Sequence, residues 1–206
     1  MTGDSRTLSS PTADDLNWAH EEFEKREPRS LFYKAAIELV DLALQEKTRL
    51  TVAEAIAVLL QTWNREYYRF RRFTEEHYHD IEALWTTHSN VLTGLRVRAI
   101  CGFSENDWPL VTAVFGAFRK VLGPVGAAKA LHLLAREFCP LWDNRIAVRG
   151  YQVTPSTDSY LQFMLNIKAQ CDQICWSRVT APYGRLKALD EYNYVTYTLG
   201  IGRPAD

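Results

Sequence analysis

Residues Val111 to Gly150 constrain this chain more than any others: two helical stretches meet at Gly123-Pro124-Val125-Gly126, and a single aspartate, Asp143, follows the second stretch. Pro124 fixes its own φ, and glycine accepts backbone conformations that other residues avoid, so the helical run must break there. A helix that restarts after so tight a turn exposes backbone N–H groups with no partner inside the helix, and such an N-terminus suits a phosphate. Asp143, after Leu141-Trp142, stands where another short helix begins and reads first as its N-cap.

The rest of the chain is read in the same terms. Apolar residues recur at helical spacing over 30–47 and again from 74 to about 98. Thr51-Val52-Ala53-Glu54 spells a capping box ahead of an apolar run that reaches Trp63, and Ser104 to Pro109 spells a helix start. Helices are also expected over 14–29, from Ser156 or Ser159 to about Trp176, and from Pro182 to Tyr192. The fold class is therefore all-α, with residues 1–14 a polar tail and 15–206 a single domain. Within that domain lie the hairpin, 111–138, and an Asp-bearing loop, 139–149. The alternation at Tyr192, Tyr194 and Thr196 admits a short strand, a weaker reading than helix.

Net charge is −1, which argues against a general polyanion binder, but its distribution is uneven. Residues 1–60 hold 7 Lys and Arg against 11 Asp and Glu, whereas 119–149 hold 6 against 2. A local basic face around the turn is compatible with an acidic remainder. The cysteines, Cys101, Cys139, Cys171 and Cys175, form no CxxC pair and no metal-binding spacing. Cys171 and Cys175 read as buried small apolar residues. His77 and His79 lie two apart on a helix and so point to different faces, which excludes joint metal ligation. No metal and no cofactor are expected. With no signal peptide and no apolar run read as a membrane span, the expected setting is a cytoplasmic monomer.

A second constellation is Trp63-Asn64-Arg65-Glu66-Tyr67-Tyr68-Arg69-Phe70-Arg71-Arg72-Phe73. Read as one helix, it puts Arg65, Arg69 and Arg72 on one stripe and Trp63, Tyr67 and Phe70 on another. Arginines on such a stripe meet phosphates, and aromatic faces can hold an unstacked base. The competing interpretation, favoured residue by residue, is aromatics in the core and arginines on a solvated face.

Leu122-Gly123-Pro124-Val125-Gly126, the helix behind it and Leu141-Trp142-Asp143 together resemble the helix-hairpin-helix DNA glycosylase superfamily, the fold of endonuclease III and the 8-oxoguanine glycosylases. The resemblance covers about forty residues. It departs from the family in three ways: Gly and Pro are exchanged, Asp143 follows Gly126 by only 17 positions, and Lys129 falls one place after the position of the family's nucleophilic lysine, which Ala128 occupies.

What the resemblance implies is a two-lobed all-α fold and removal of a damaged or modified base from DNA by base flipping. Asp143 would be the catalytic carboxylate. Gly123, Val125, Gly126, Ala127 and Lys129 would contact DNA. Trp63, Asn64, Tyr67, Tyr68 and Trp142 are the candidates for the base pocket. With Ala128 in the nucleophile's place, a monofunctional, water-using mechanism is expected, and Lys129 is the lesser catalytic candidate. Two rival readings stand beside this one: a non-catalytic DNA-binding module, and an α-helical protein-interaction domain.

Overall fold

The computed structural model describes residues 10–204, which are helical and contain no strand. The helices are α1 (Ala13–Arg26), α2 (Ser30–Leu44), α3 (Val52–Trp63), α4 (Arg65–Phe70), α5 (Glu75–Arg96), α6 (Trp108–Leu134), α7 (Thr157–Gln173) and α8 (Arg185–Asn193). Local chemistry sets several of their starts. Thr12, Thr51 and Ser156 each build a capping box, and the Thr74 side chain accepts the His77 amide at 3.2 Å. Of the polar tail, residues 1–9 lie outside the described residues, and α1 is already under way at Ala13.

α6 is the axis of the core. Its second half is alanine- and leucine-rich and almost wholly buried, and α2, α3, α5 and α7 pack against it. Alanines let neighbouring helices approach closely, while Leu131, Leu133 and Leu134 supply apolar area worth about 1.5–3 kcal/mol each when fully buried. One continuous apolar cluster runs from Leu16 to Leu189. α1 packs on α8 and on the helical turn Tyr194–Thr198, so the first and last described helical elements close one side of the molecule.

Several expectations need correcting. The four-residue hairpin is a one-residue break: Gly123 alone leaves helical geometry (φ 69°, ψ 171°), and Pro124 opens the next turn. Only glycine takes that φ without strain, so the Gly-Pro order places each residue where its backbone preference is met. The second half ends at Leu134 rather than Phe138, and α7 ends at Gln173 rather than Trp176. Residues 63–73 are not one helix. The chain breaks at Asn64 (φ −112°, ψ 34°) and α4 stops at Phe70, so Arg72 leaves the expected stripe. The segment 194–198 is a helical turn, not a strand.

All four cysteines are free, with Cys139 and Cys171 buried but Cys101 and Cys175 exposed. Contrary to the reading of the sequence, Glu105–Leu134 is long and apolar enough to cross a membrane by length and composition. Here its apolar second half is spent on the core and the Gly123 break interrupts it.

Candidate nucleic-acid cleft

Side chains from distant elements hydrogen-bond to the backbone carbonyls on both sides of the Gly123 break. The Tyr67 hydroxyl donates to the Val121 carbonyl at 2.6 Å, and the Trp142 indole N–H donates to the Pro124 carbonyl at 3.1 Å. The bend is therefore gripped from α4 on one side and from the 141–143 strap on the other. A Cβ on Gly123 would lie 3.3 Å from the Tyr67 ring, so the glycine also permits that close approach. The C-terminal carbonyl of α3, on Trp63, accepts a hydrogen bond from the Lys129 ammonium, the favourable pairing of a cation with a helix C-terminus.

Between α4, the bend and the strap lies a cleft of about 1190 Å³. Its walls include Trp63 to Arg69, the Gly123–Gly126 bend with Lys129, and Leu141 to Ile146, with Asp190, Tyr194 and Thr198 from the C-terminal part of the chain. That volume is somewhat above the roughly 300–1,000 Å³ typical of small-molecule pockets and is open to the surface on the side of Arg65 and Arg69.

Asp143 is half-buried on this cleft. Its Oδ1 accepts the Ile146 amide at 2.7 Å, the N-cap bond expected from the sequence, and its Oδ2 accepts the Thr198 hydroxyl at 3.1 Å. Two neutral donors fix the carboxylate's orientation while each oxygen keeps lone pairs for a ligand. Cap and cleft-facing acid are one residue.

Lys129 is 8% exposed, and burial, opposed by the charges of Asp143 and Asp190, pulls its pKa down to about 8. The one-place offset from the expected lysine position does not turn it away from the cleft. Arg65 and Arg69 are exposed and, among the described residues, no carboxylate pairs with either. Arg29 is bound by Glu27 at 2.5 Å, and Arg145 donates to the Thr198 carbonyl at 3.2 Å.

The expected pocket residues divide. Gly123, Val125 and Gly126 border the cleft, but Ala127 is fully buried off its wall, because the helix turns that position toward the core. Trp142 is 1% exposed, enclosed by Phe115, Tyr160 and Phe163, so its ring offers no face for a base and serves to hold the bend. The Trp63 ring is already stacked on Tyr33 at 5.4 Å. Tyr67 and Tyr68 border the cleft edge-on to each other, with the Tyr68 hydroxyl held 2.9 Å from His77 Nε2. Asn64 is buried with Nδ2 unpartnered against Gly126, where a Cβ would come within 2.8 Å of it.

His77 and His79 are not brought together on a ligand: His77 faces Tyr68 and His79 lies near Glu75 and Glu82. Among the described residues, those with metal-compatible spacing are His20, Glu24 and Glu191, which the sequence does not single out. There Glu24 is bound by Lys34 at 2.8 Å and Glu191 by His20 at 2.7 Å, so the acids already have cationic or hydrogen-bonding partners.

Asp190, like Thr198, is a cleft residue that sequence reasoning misses. On α8 it follows Lys187 by three, a spacing that reads as an ordinary surface pair, and nothing local signals that both are buried. Comparisons with protein-family models, with curated proteins and with solved structures find no match for this chain.

Proposed function

We propose that the protein is a DNA N-glycosylase with a two-lobed helix-hairpin-helix architecture, acting on a damaged or otherwise modified base. The observation that carries this reading is that Asp143 borders the same cleft as the Gly123–Gly126 bend and the aromatic-basic segment of α4. The first turn after Gly123 supplies a helix N-terminus for a phosphate, and Arg65 and Arg69 extend the cationic rim along the backbone. A base leaving the stack costs a few kcal/mol and is received in the cleft beside Tyr67 and Tyr68.

Breaking the N-glycosidic bond builds positive charge on the sugar. A carboxylate held by Ile146 and Thr198 needs no reorganisation to meet that charge and can accept a proton from the attacking water. The reading calls for neither metal nor cofactor, and takes the protein as a cytoplasmic monomer whose partner is DNA. The test is abasic-site formation on duplexes carrying a panel of modified bases. Release that disappears in Asp143→Asn supports the enzyme, whereas salt-sensitive binding without release by the wild type turns the reading to a non-catalytic module.

A second mechanism has one observation in its favour. Lys129 is buried, with a pKa near 8, so at neutral pH about a tenth of it is the free amine a Schiff base needs. A borohydride-trapped adduct lost in Lys129→Ala would replace water by the amine as nucleophile.

A further inference from the structure

We infer that Asp190 is a second reactive carboxyl of this cleft, which hands a proton to the departing base; the inference rests on the glycosylase reading and names the substrate class, modified bases that are uncharged in the intact nucleotide. Asp190 is 8% exposed yet borders the cleft together with Asp143 and Lys129. Its Oδ2 accepts the Lys187 ammonium at 2.7 Å, while Oδ1 takes no hydrogen bond from the described residues. Lys187 is itself fixed. It is 2% exposed, lies 4.2 Å from the Phe23 ring and 4.9 Å from the Trp63 ring, and reaches Glu191 at 3.5 Å. One oxygen of Asp190 is thus anchored and the other is unspent.

The groups facing Asp190 are Lys187 and Glu191 from α8, Asp143 from the strap, Lys129 from α6 and Tyr33 from α2. Burial, with Glu191 and Asp143 adding to it, raises the Asp190 pKa against the pull of Lys187. Asp143 is half-buried, and its two oxygens accept only from neutral groups, the Ile146 amide and the Thr198 hydroxyl. Two carboxyls in unlike environments are the arrangement that divides acid from base.

The step balances. The C1′–N bond breaks and its electron pair goes to the base nitrogen. The Asp190 proton passes to the base, which leaves neutral. Water adds to C1′ and gives its proton to Asp143, which returns it to solvent, while Asp190 recovers a proton from solvent. One water is consumed and no oxidant or reductant is needed. An N7-alkylated purine already carries positive charge and leaves without such help, so the two substrate types separate the role of Asp190 from a general structural one.

The experiment is single-turnover release from duplexes carrying neutral modified bases or N7-methylguanine, from pH 5 to 9, by wild type, Asp143→Asn, Asp190→Asn and Asp190→Glu. For the neutral base the wild-type rate falls on the alkaline side. Asp190→Asn removes that limb and slows release by about 10²-fold, the lower end for a general acid, with a loss at least tenfold smaller on N7-methylguanine. Asp190→Glu, which keeps the carboxyl, retains the limb at a shifted pH and decides the matter if the Asn variant does not fold. An Asp190→Asn profile parallel to wild type, a limb missing from Asp190→Glu, or release confined to N7-methylguanine overturns the role of Asp190 and leaves the glycosylase reading standing. No release by wild type from any duplex overturns the glycosylase reading, and this inference with it.

Discussion

Two grooves of this molecule handle charge in opposite ways. The smaller, of about 720 Å³, lies between α2, the end of α6 and the start of α8. There Asp41 receives both Arg96 and Arg136, the latter at 3.0 Å, and Arg96 also donates to the Leu133 and Leu134 carbonyls at 3.1 Å, closing the C-terminus of α6. These charged groups are spent on other parts of the fold. In the larger cleft Arg65 and Arg69 have no carboxylate among the described residues, Asn64 Nδ2 has no acceptor, and Lys129 is desolvated with only a backbone carbonyl as hydrogen-bond partner. Satisfied polar groups hold a structure together, and underused ones beside an open cleft are what a ligand can engage. The difference identifies the cleft, not the Asp41 groove, as the place where function is to be sought.

The largest effect is expected from Trp142→Ala. If the ring is a core clamp on the bend, unfolding free energy falls by about 3–5 kcal/mol, measured by denaturant or thermal unfolding. A stable Trp142→Ala protein with altered ligand binding would return the ring to the cleft. Asp143→Asn keeps a capping side chain, so stability should hold while base release falls about 10²–10³-fold. An equal loss of stability and of release would reduce Asp143 to a cap.

Lys129 gives the cleft a pH signature. Its pKa is about 8 in the folded protein against 10.5 unfolded, so between those values the unfolded chain holds the extra proton and stability rises with pH. The rise is about 3 kcal/mol at most and is absent in Lys129→Met. In the other groove Asp41→Ala removes partly exposed pairs and should cost only about 1 kcal/mol, with no change in DNA binding. Smallest is Arg65→Ala with Arg69→Ala, which leaves the fold intact and reduces the salt slope of DNA binding by about 2. An unchanged slope would make the cleft's cationic rim as idle as the Asp41 groove.

Features that short stretches of chain encode are legible in the sequence. The capping boxes at Thr51 and Ser156 and the cap at Thr74 join groups within three residues of one another, and the spacing of apolar residues marks a buried face one turn at a time. The capping role of Asp143 is legible because its bond to Ile146 is local. The Gly-Pro break is legible for the same reason, although its extent, one residue, depends on Tyr67 and Trp142 gripping it from outside.

Tertiary structure alone decides the rest. It breaks the helix at Asn64, encloses Trp142, drives Lys129 into the interior beneath Trp63, and delivers Asp190 to the same cleft as Asp143, 47 positions earlier in the chain. Burial and the electrostatic field at a residue are sums over neighbours supplied by distant segments, and no window along the chain contains them. Local chemistry along the chain sets which residues turn, cap and pack. Only the folded chain determined which of them face one another across the cleft.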